Sequence, residues 1–167
     1  MSHKPHRTHD VRCVSCAVIT VSDTRTEADD TSGARSRALL NQAGHRVDSY
    51  RIVKDEPHLI RQAIAALPVS VEAVVVNGGT GLARRDTTFE AIERLLDKQI
   101  SGFGELFRML SYEEIGAAAM LSRAIAGVAG DRAVFSIPGS TKAVELAMTK
   151  LILPEIGHIV GLLRGPT

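Results

Sequence analysis

The chain has 167 residues, of which 44% are hydrophobic and 23% charged, and this composition is typical of one globular domain with a substantial core. The net charge is +1 and there is no tryptophan, so neither a global positive field nor an aromatic stacking platform favours a nucleic-acid ligand. No apolar run approaches the ~20 residues that span a membrane, and we expect a cytoplasmic protein.

The first ten residues are polar and predict a flexible tail, 1–10, ahead of a single domain at 11–167. The tail contains His3, His6 and His9. Histidines in a terminal segment belong more often to a disordered tail than to a metal site. The segment also lacks the apolar stretch of a signal peptide.

The first predicted strand runs from Val11 to Val21 and contains Cys13 and Cys16. Side chains three residues apart on a strand point to opposite faces, so these thiols would not converge on a metal or a disulfide. We therefore interpret this CxxC as two buried thiols in a reducing compartment.

Helical and strand patterns alternate along the rest of the chain. After the first strand, the predicted elements are a helix at about 32–43, a strand at 46–53, a helix capped by Asp55, a strand at 71–77, helices at 88–97 and 102–119, strands at 124–129 and 133–137, and a last helix that Pro154 breaks or restarts. This alternation predicts an α/β fold, a three-layer sandwich with a mostly parallel sheet and helices on both faces. Ligands of such sheets bind beyond the carboxyl ends of the strands.

A glycine-rich loop follows the most apolar of these strands. The strand ends at Asn77, and Gly78, Gly79, Thr80 and Gly81 come next. Glycines let the backbone approach a ligand closely, and free N–H groups before a helix favour an anion. The loop is not a P-loop, because no Gly-Lys-Ser/Thr follows, and it lacks the third glycine of a dinucleotide fingerprint.

Charged side chains follow the glycines. Arg84, Arg85 and Asp86 precede the next helix, for which Thr87 is the predicted N-cap and Glu90 its capping-box partner. An ordinary strand–helix turn accounts for the cap alone. It does not account for three glycines, two arginines and an aspartate together, so we interpret the segment as a functional site.

Three other loops that follow predicted strands carry similar residues. They contain Ser22, Asp23, Thr24, Arg25 and Asp29 to Gly33 in the first, Lys54 to Glu56 in the second, and Ser136 to Lys142 in the last. If the sheet is parallel, all four loops share one edge. That edge would offer backbone N–H groups, cations for phosphates and carboxylates for a divalent cation, the mixture that a magnesium–nucleotide complex needs.

These residues resemble a known family. Ser22-Asp23-Thr24-Arg25, Asp30-Thr31-Ser32-Gly33, Val53-Lys54-Asp55-Glu56, the glycine loop with Arg85-Asp86, and Pro138-Gly139-Ser140-Thr141-Lys142-Ala143 are similar to segments of molybdenum cofactor biosynthesis proteins of the MoaB/MogA type, which include the G domain of gephyrin. The segments Leu110 to Gly116 and Leu121 to Ala124 also resemble the family, and the resemblance covers about Val11 to Ile159. It implies molybdopterin binding, and in active members adenylylation of the molybdopterin phosphate with Mg-ATP.

The resemblance also implies roles for individual residues. It assigns catalysis to Asp55 and Asp86, with Asp86 as a ligand of Mg²⁺. The residues that it assigns to the nucleotide are Gly78, Gly79, Thr80, Gly81, Pro138, Gly139 and Ser140, and those that it assigns to molybdopterin are Ser22, Asp30, Ser32 and Gly33. ATP and molybdopterin would be the substrates, and other proteins of the molybdenum cofactor pathway would be partners.

Two alternatives stay open at this point. The chain could be a molybdopterin-binding protein or a partner protein of the same pathway that does not catalyse adenylyl transfer. From the residues alone, it could also be another α/β enzyme that binds a phosphate-sugar or a nucleotide.

The segment from Phe103 to Leu121 has more apolar and small residues than one surface helix needs. These are Phe103, Phe107, Met109, Ala117, Ala118, Ala119 and Met120. Such an excess is typical of an obligate oligomer interface, and the resemblance implies a trimer or a hexamer. The alternative is that these side chains complete the monomer core.

Overall fold

The computed structural model describes residues 10–165, which form one six-stranded sheet flanked by helices. The strands β1 to β6 are Ser15–Val21, Arg46–Val53, Ala73–Asn77, Lys98–Gln99, Ile125–Ala129 and Arg132–Ile137. The α-helices α1 to α6 are Thr31–Gln42, Pro57–Ala65, Thr88–Glu93, Ser101–Ile115, Thr141–Ala147 and Leu153–Arg164. The predicted tail lies outside the described residues except for Asp10.

The strand order is β2-β1-β3-β6-β5-β4. The four neighbours β2, β1, β3 and β6 are parallel, whereas β5 pairs antiparallel with both β6 and β4. The expected α/β fold with a mostly parallel sheet is therefore confirmed. The two-residue edge strand β4 and the reversed direction of β5 were not predicted.

Helices cover both faces of the sheet and create two cores. Leu40 of α1, Phe107 of α4 and Ile156 of α6 belong to one core, and Ile60 of α2 and Ile92 of α3 belong to the other. Since β1, β3 and β6 are covered on both faces, they are nearly continuous apolar runs, as parallel strands usually are. The observed structure is the predicted three-layer sandwich.

The first strand begins at Ser15, four residues later than predicted. Cys16 is buried within it, and burial is the main reason that the pKa of its thiol is raised to about 12. Cys13 precedes the strand and is exposed, so the prediction of two buried thiols is wrong for Cys13. Both cysteines are free thiols.

Two helix predictions also differ from the structure. The predicted helix 88–97 ends at Glu93, because the chain turns there into β4. The predicted helix 102–119 ends at Ile115, because its C-cap Gly116 has a φ of 66° that favours glycine, and a 3₁₀ turn then runs from Gly116 to Leu121.

The last helical segment spans Thr141 to Arg164 as α5, a π turn and α6. Pro154 lies in the first turn of α6, so the prediction that it restarts the helix is confirmed. A π turn at Met148–Ile152 lies between α5 and α6 and ends two residues before Pro154, and such a turn accommodates the missing N–H of a proline. By length and composition alone this segment could cross a membrane. Its side chains Met148, Ile152 and Ile156 are fully buried against the sheet, which is the pattern of a core helix.

Candidate functional site

The four loops that the sequence assigned to one edge do lie at one edge of the sheet. They follow β1, β2, β3 and β6, which are parallel neighbours, so their carboxyl ends point the same way. The start of β5 reaches this edge too, because β5 runs in the opposite direction. The candidate site is therefore built from five segments of the chain.

Gly78 and Gly79 give the loop after β3 a conformation that other residues resist. Their φ angles are 108° and 65°, in the left-handed region that favours glycine. A Cβ on Gly78 would overlap the carbonyl oxygen of Val21. A Cβ on Gly79 would overlap the carboxylate of Asp55 and the hydroxyl of Thr88. The glycines thus allow the loop to lie directly against β1 and against Asp55.

Asp55 lies beneath the glycine loop and is only 6% exposed. Its Oδ1 accepts hydrogen bonds from the Thr87 N–H at 3.0 Å, the Thr87 hydroxyl at 2.7 Å and the Thr88 hydroxyl at 3.4 Å. The prediction that Asp55 caps α2 is wrong: Glu56 is the N-cap, and it makes no side-chain capping bond. Asp55, which follows β2, instead reaches past β1 to the loop that follows β3.

The pKa of Asp55 is raised, chiefly because burial disfavours an ionised carboxylate. The hydrogen bonds from Thr87 and Thr88 lower it, and the negative charge of Asp86 raises it further. Two neighbouring carboxylates repel each other, and a divalent cation would relieve that repulsion. The electrostatics of the pair therefore suit a cation.

Asp86 is half-buried at the other end of the glycine loop. Its Oδ2 accepts a hydrogen bond from the Ala83 N–H at 3.2 Å. A Cβ on Gly81 would lie 2.6 Å from the same oxygen, so Gly81 leaves room for the carboxylate. Asp86 thereby faces the same space as the glycine loop.

The predicted capping box at α3 is wrong, although Thr87 does occupy the N-cap position. The Thr87 hydroxyl donates to Asp55 rather than capping its own helix. Glu90 forms an ion pair with Arg123. Both side chains therefore connect α3 to other segments of the site.

A cleft of about 440 Å³ opens beside the glycine loop and Asp86. Besides Asp86 and Ala143, its lining consists of loop residues Gly79, Thr80, Gly81, Pro138, Gly139 and Ser140, and of Phe107, Ser111, Ile115, Leu121 and Ser122 from α4 and the turns after it. Every residue predicted to bind nucleotide lines it except Gly78, which is buried behind the loop. One wall is polar backbone and the other is mostly apolar, so the cleft suits a ligand with an anionic end and a planar body.

The sequence analysis did not identify the wall formed by α4. Phe107 and Leu121 were interpreted only as part of an apolar segment. The Ser122 hydroxyl is buried and has no hydrogen-bond partner among residues 10–165. Ser122 stands in no local pattern of its own, and the resemblance of the segment Leu121 to Ala124 to the family pointed to this region without giving the serine a role.

Three residues predicted to contact molybdopterin, Asp30, Ser32 and Gly33, are buried beneath the loop after β1. Asp30 accepts hydrogen bonds from the Gly33 N–H at 3.0 Å, the Ser32 hydroxyl at 3.1 Å and the Tyr50 hydroxyl at 2.6 Å. Burial raises the pKa of Asp30, but these bonds and one with Thr20 outweigh it, so the pKa is lowered overall. The three residues are therefore buried below the ligand-accessible surface of this edge of the sheet.

Arg25 connects these buried residues to the surface. Its Nη1 donates to the Ser32 hydroxyl at 2.7 Å and to the Gly139 carbonyl at 3.1 Å. Ser22, the fourth residue predicted to contact molybdopterin, is half-buried and accepts from the Arg25 N–H at 3.0 Å. The sequence analysis named Arg25 only as a member of its loop, whereas the structure shows that it joins the loops after β1 and β6.

Arg85 ties together three loops at the exposed rim. Its guanidinium donates to Asp23 at 2.8 Å and to Glu56 at 2.9 Å. The other oxygen of Asp23 accepts from the Asp55 N–H at 3.1 Å. Arg85 would have to leave these carboxylates before it could bind a phosphate.

No group of three or more His, Cys, Asp and Glu side chains within residues 10–165 is arranged to hold a metal ion by itself. Mg²⁺, however, is usually held by one or two carboxylates together with waters and substrate phosphates. Asp55 and Asp86 supply that number of carboxylates, and their mutual repulsion favours a cation. The residues present therefore fit Mg²⁺ bound together with a phosphorylated substrate.

A larger cavity, of about 580 Å³, lies at the opposite edge of the sheet. The arginines that line this cavity are already bonded to groups of the protein itself. Arg132 donates to four backbone carbonyls, and Arg164 forms an ion pair with Glu72. The cleft beside Asp86 is therefore the better candidate for a functional site.

The chain is similar to a family of known proteins. Residues 17–158 match the family model described as "Probable molybdopterin binding domain". The chain is 56% identical over 162 residues to molybdenum cofactor biosynthesis protein B of Bacillus cereus, a match that covers 95% of this chain and 96% of that protein. It is 51% identical over 167 residues to the Bacillus subtilis protein of the same name, which covers 98% of both.

Solved structures show the same similarity. The chain matches a crystal structure of a molybdenum cofactor biosynthesis protein B with a TM-score of 0.89 at 56% identity, over 92% of this chain and 97% of that one. It matches the tungsten cofactor synthesizing protein MoaB from Pyrococcus furiosus with a TM-score of 0.80 at 39% identity, over 92% of this chain and 98% of that one.

Proposed function

From the premise that the chain belongs to the molybdopterin-binding family of molybdenum cofactor biosynthesis proteins, we propose that it adenylylates the terminal phosphate of molybdopterin with Mg-ATP. The observation that carries this proposal is the pair of carboxylates beside the glycine loop. Asp55 is buried and fastened to Thr87, and Asp86 faces the cleft.

The reaction joins two anions. An oxygen of the molybdopterin phosphate attacks the α-phosphorus of ATP, a P–O bond forms, and the bond to the β-phosphate oxygen breaks so that pyrophosphate leaves with the electron pair. Because the reactants repel each other, positioning and charge neutralisation supply most of the catalysis. No side-chain nucleophile is required.

The backbone of the glycine loop and of Pro138 to Ser140 binds the nucleotide phosphates. Loop N–H groups are suited to anions, and glycines allow a close approach. The loops also lie close to each other, since a Cβ on Gly139 would be 3.1 Å from the Cα of Gly78. The apolar wall with Phe107 and Leu121 takes a ring system.

Asp55 and Asp86 would hold Mg²⁺ together with substrate phosphates. When bound, Mg²⁺ neutralises phosphate charge and helps pyrophosphate to leave. Asp86 acts as a direct ligand. Asp55, which Thr87 and Thr88 hold in place, positions the ion or the attacking phosphate.

Molybdopterin binds on the side of the loop after β1. Ser22 and Arg25 are half-buried there and remain partly accessible to a ligand. Asp30, Ser32 and Gly33 act on this side by holding the loop and Arg25 in place. A cation at Arg25 suits the terminal phosphate of the pterin.

Incubation of the protein with molybdopterin and Mg-ATP, followed by mass spectrometry, tests the proposal. We expect adenylylated molybdopterin and one pyrophosphate per product. Asp86→Ala should abolish product formation while molybdopterin binding survives, and Glu93→Ala is the matched control, at an exposed carboxylate of α3. Molybdopterin binding with no product in the wild type would favour a non-catalytic binding protein instead.

We also propose that the protein is a trimer or a hexamer. Met109, Tyr112, Ile115 and Met120 are more than half exposed on α4 and the following turn, and large apolar side chains in one exposed patch are typical of an interface. Phe103, Phe107 and Ala119, also predicted for the interface, are buried in the monomer core instead.

Light scattering tests the assembly. A mass near the 17.9 kDa of one chain at micromolar concentration would contradict it. Ala118 is exposed beside Met120, so Ala118→Glu should split the oligomer without unfolding the domain. Glu105→Ala, at an exposed polar position of α4, is the control and should leave the mass unchanged.

A further inference from the structure

Arg123 lies directly before β5, the strand that runs against its neighbours. This reversed direction brings the start of β5 to the edge where the other strands end. A parallel strand at this position would begin at the opposite edge, far from the glycine loop. The topology therefore delivers one arginine to the back of the loop.

The guanidinium of Arg123 holds three backbone carbonyls of the glycine loop. It donates to Thr80 at 3.2 Å, to Gly81 at 2.5 Å and to Asp86 at 3.4 Å. Its own position is fixed by an ion pair with Glu90 and by the ring of Phe89, whose centroid lies 5.0 Å away. The arginine thus connects both ends of the loop through one rigid, planar group.

Because each peptide unit is planar, a carbonyl that is held by Arg123 also fixes the direction of the N–H group that follows it. In a trans peptide the C=O and the following N–H point in opposite directions. The Asp86 carbonyl points to Arg123, and accordingly the Thr87 N–H on the other side donates to Asp55 at 3.0 Å. By the same rule, the Thr80 carbonyl on Arg123 turns the Gly81 N–H away from the arginine.

We propose that Arg123 is a positioning residue that sets the orientation of the Asp55–Asp86 pair and of the loop N–H groups through the backbone of the glycine loop. Arg123 acts from behind the loop and does not touch the reacting atoms. This inference rests on the proposed adenylyl transfer, and it concerns how the same site is held in its active shape.

Arg123→Lys and Arg123→Ala test the proposal, with Arg94→Ala as the control. Arg94 is an exposed arginine beside the same loop that makes none of these bonds. Lysine keeps the charge but has one ammonium group, which cannot bridge three carbonyls and Glu90. Hydrogen exchange of amides 79–87, kcat and KM for ATP, and the melting temperature are measured for each variant.

We expect both Arg123 variants to speed exchange of amides 79–87 by roughly tenfold or more while amides of β1 and β3 keep their wild-type rates. Turnover should fall through kcat by roughly 10- to 100-fold. Added guanidinium ion should partly restore kcat in Arg123→Ala, whereas sodium at equal ionic strength should not. Arg94→Ala should leave all these readouts unchanged.

Unchanged exchange at 79–87, or equal acceleration across the whole sheet, would overturn the proposal, because the arginine would then be irrelevant to the loop or only generally stabilising. Full activity of Arg123→Lys would overturn it as well. If the wild type forms no adenylylated molybdopterin, the proposed function fails, and the exchange measurement still decides the role of Arg123.

Discussion

Asp30 and Asp55 are both buried carboxylates at the same edge of the sheet, yet their pKa values shift in opposite directions. Both oxygens of Asp30 accept hydrogen bonds, from Gly33, Ser32 and Tyr50, and its pKa is lowered against the effect of burial. Asp55 receives all its side-chain bonds on Oδ1, and burial dominates, so its pKa is raised.

The difference separates a structural carboxylate from a functional one. Asp30 is fully satisfied by its own protein, and its ionised form stabilises the fold. Asp55 is buried beside a second carboxylate, and both effects raise its pKa, so its ionised form costs stability in the free protein and a bound cation would offset that cost. The comparison therefore predicts opposite responses to the same substitution.

Asp55→Asn should have the largest effect. Turnover should fall by roughly 10²–10³-fold, because a positioned charge at the reacting phosphates is lost. The melting temperature should rise, since the substitution removes a buried charge and its repulsion from Asp86 while Oδ1 still accepts from Thr87. Calorimetry and the product assay measure the two effects, and a lower melting temperature would contradict the interpretation of Asp55.

Asp30→Ala should destabilise the protein by about 2–4 kcal/mol, because it removes the N-cap of α1 and leaves buried donors without an acceptor. Urea unfolding measures the loss. Asp29→Ala, one residue earlier and exposed, is the control and should cost much less. Equal losses in the two variants would show that the buried hydrogen bonds of Asp30 do not stabilise the protein more than an exposed carboxylate does.

The pH dependence should separate the two residues around pH 3.8, the usual pKa of an aspartate. The pKa of Asp30 is lowered, so its stabilising contribution is present above 3.8 and is lost as the pH falls through its folded-state pKa. The pKa of Asp55 is raised, so its contribution is present below 3.8 and is lost as the pH rises through its folded-state pKa.

The free energy of unfolding of Asp30→Asn and Asp55→Asn, each compared with wild type across this range, measures these contributions. The Asp30→Asn difference should change below pH 3.8 and the Asp55→Asn difference above it. If the free-energy differences of both variants changed over the same pH range, the proposed contrast between Asp30 and Asp55 would be wrong.

Tyr50→Phe should have the smallest effect, a loss of about 1 kcal/mol, because it removes one of several donors to Asp30. Turnover should stay within the range of the wild type if Asp30 is structural. A large loss of turnover in Tyr50→Phe would place the Asp30 network in catalysis instead.

The sequence predicted the sheet and the loops at its carboxyl edge, because both depend on local patterns. The apolar run of Val74, Val75 and Val76 identified a strand buried on both faces, and Gly78 with Gly79 marked where the chain leaves it. Regular alternation of strands and helices then predicted that the loops share one edge.

The details of the site were not predictable, because its contacts join residues far apart in sequence. Asp55 before a proline-started helix fits an N-cap by local rules, and its true partner Thr87 is 32 residues away. The role of Arg123 depends on the direction of β5, which hydrophobic pattern alone does not reveal. Ser122, the residue before Arg123, reaches the cleft because of the same reversed direction of β5.

The pairing of β3 with β6 has a consequence for synthesis of the chain. Ala73 pairs with Ala133, so a ribosome that adds 5–20 residues per second makes the two partners on the order of 3–12 s apart. During that interval the nascent chain carries β3 with one unpaired edge, a surface that other chains could join. A chain that stops before Arg132 should therefore aggregate rather than remain as a soluble fragment.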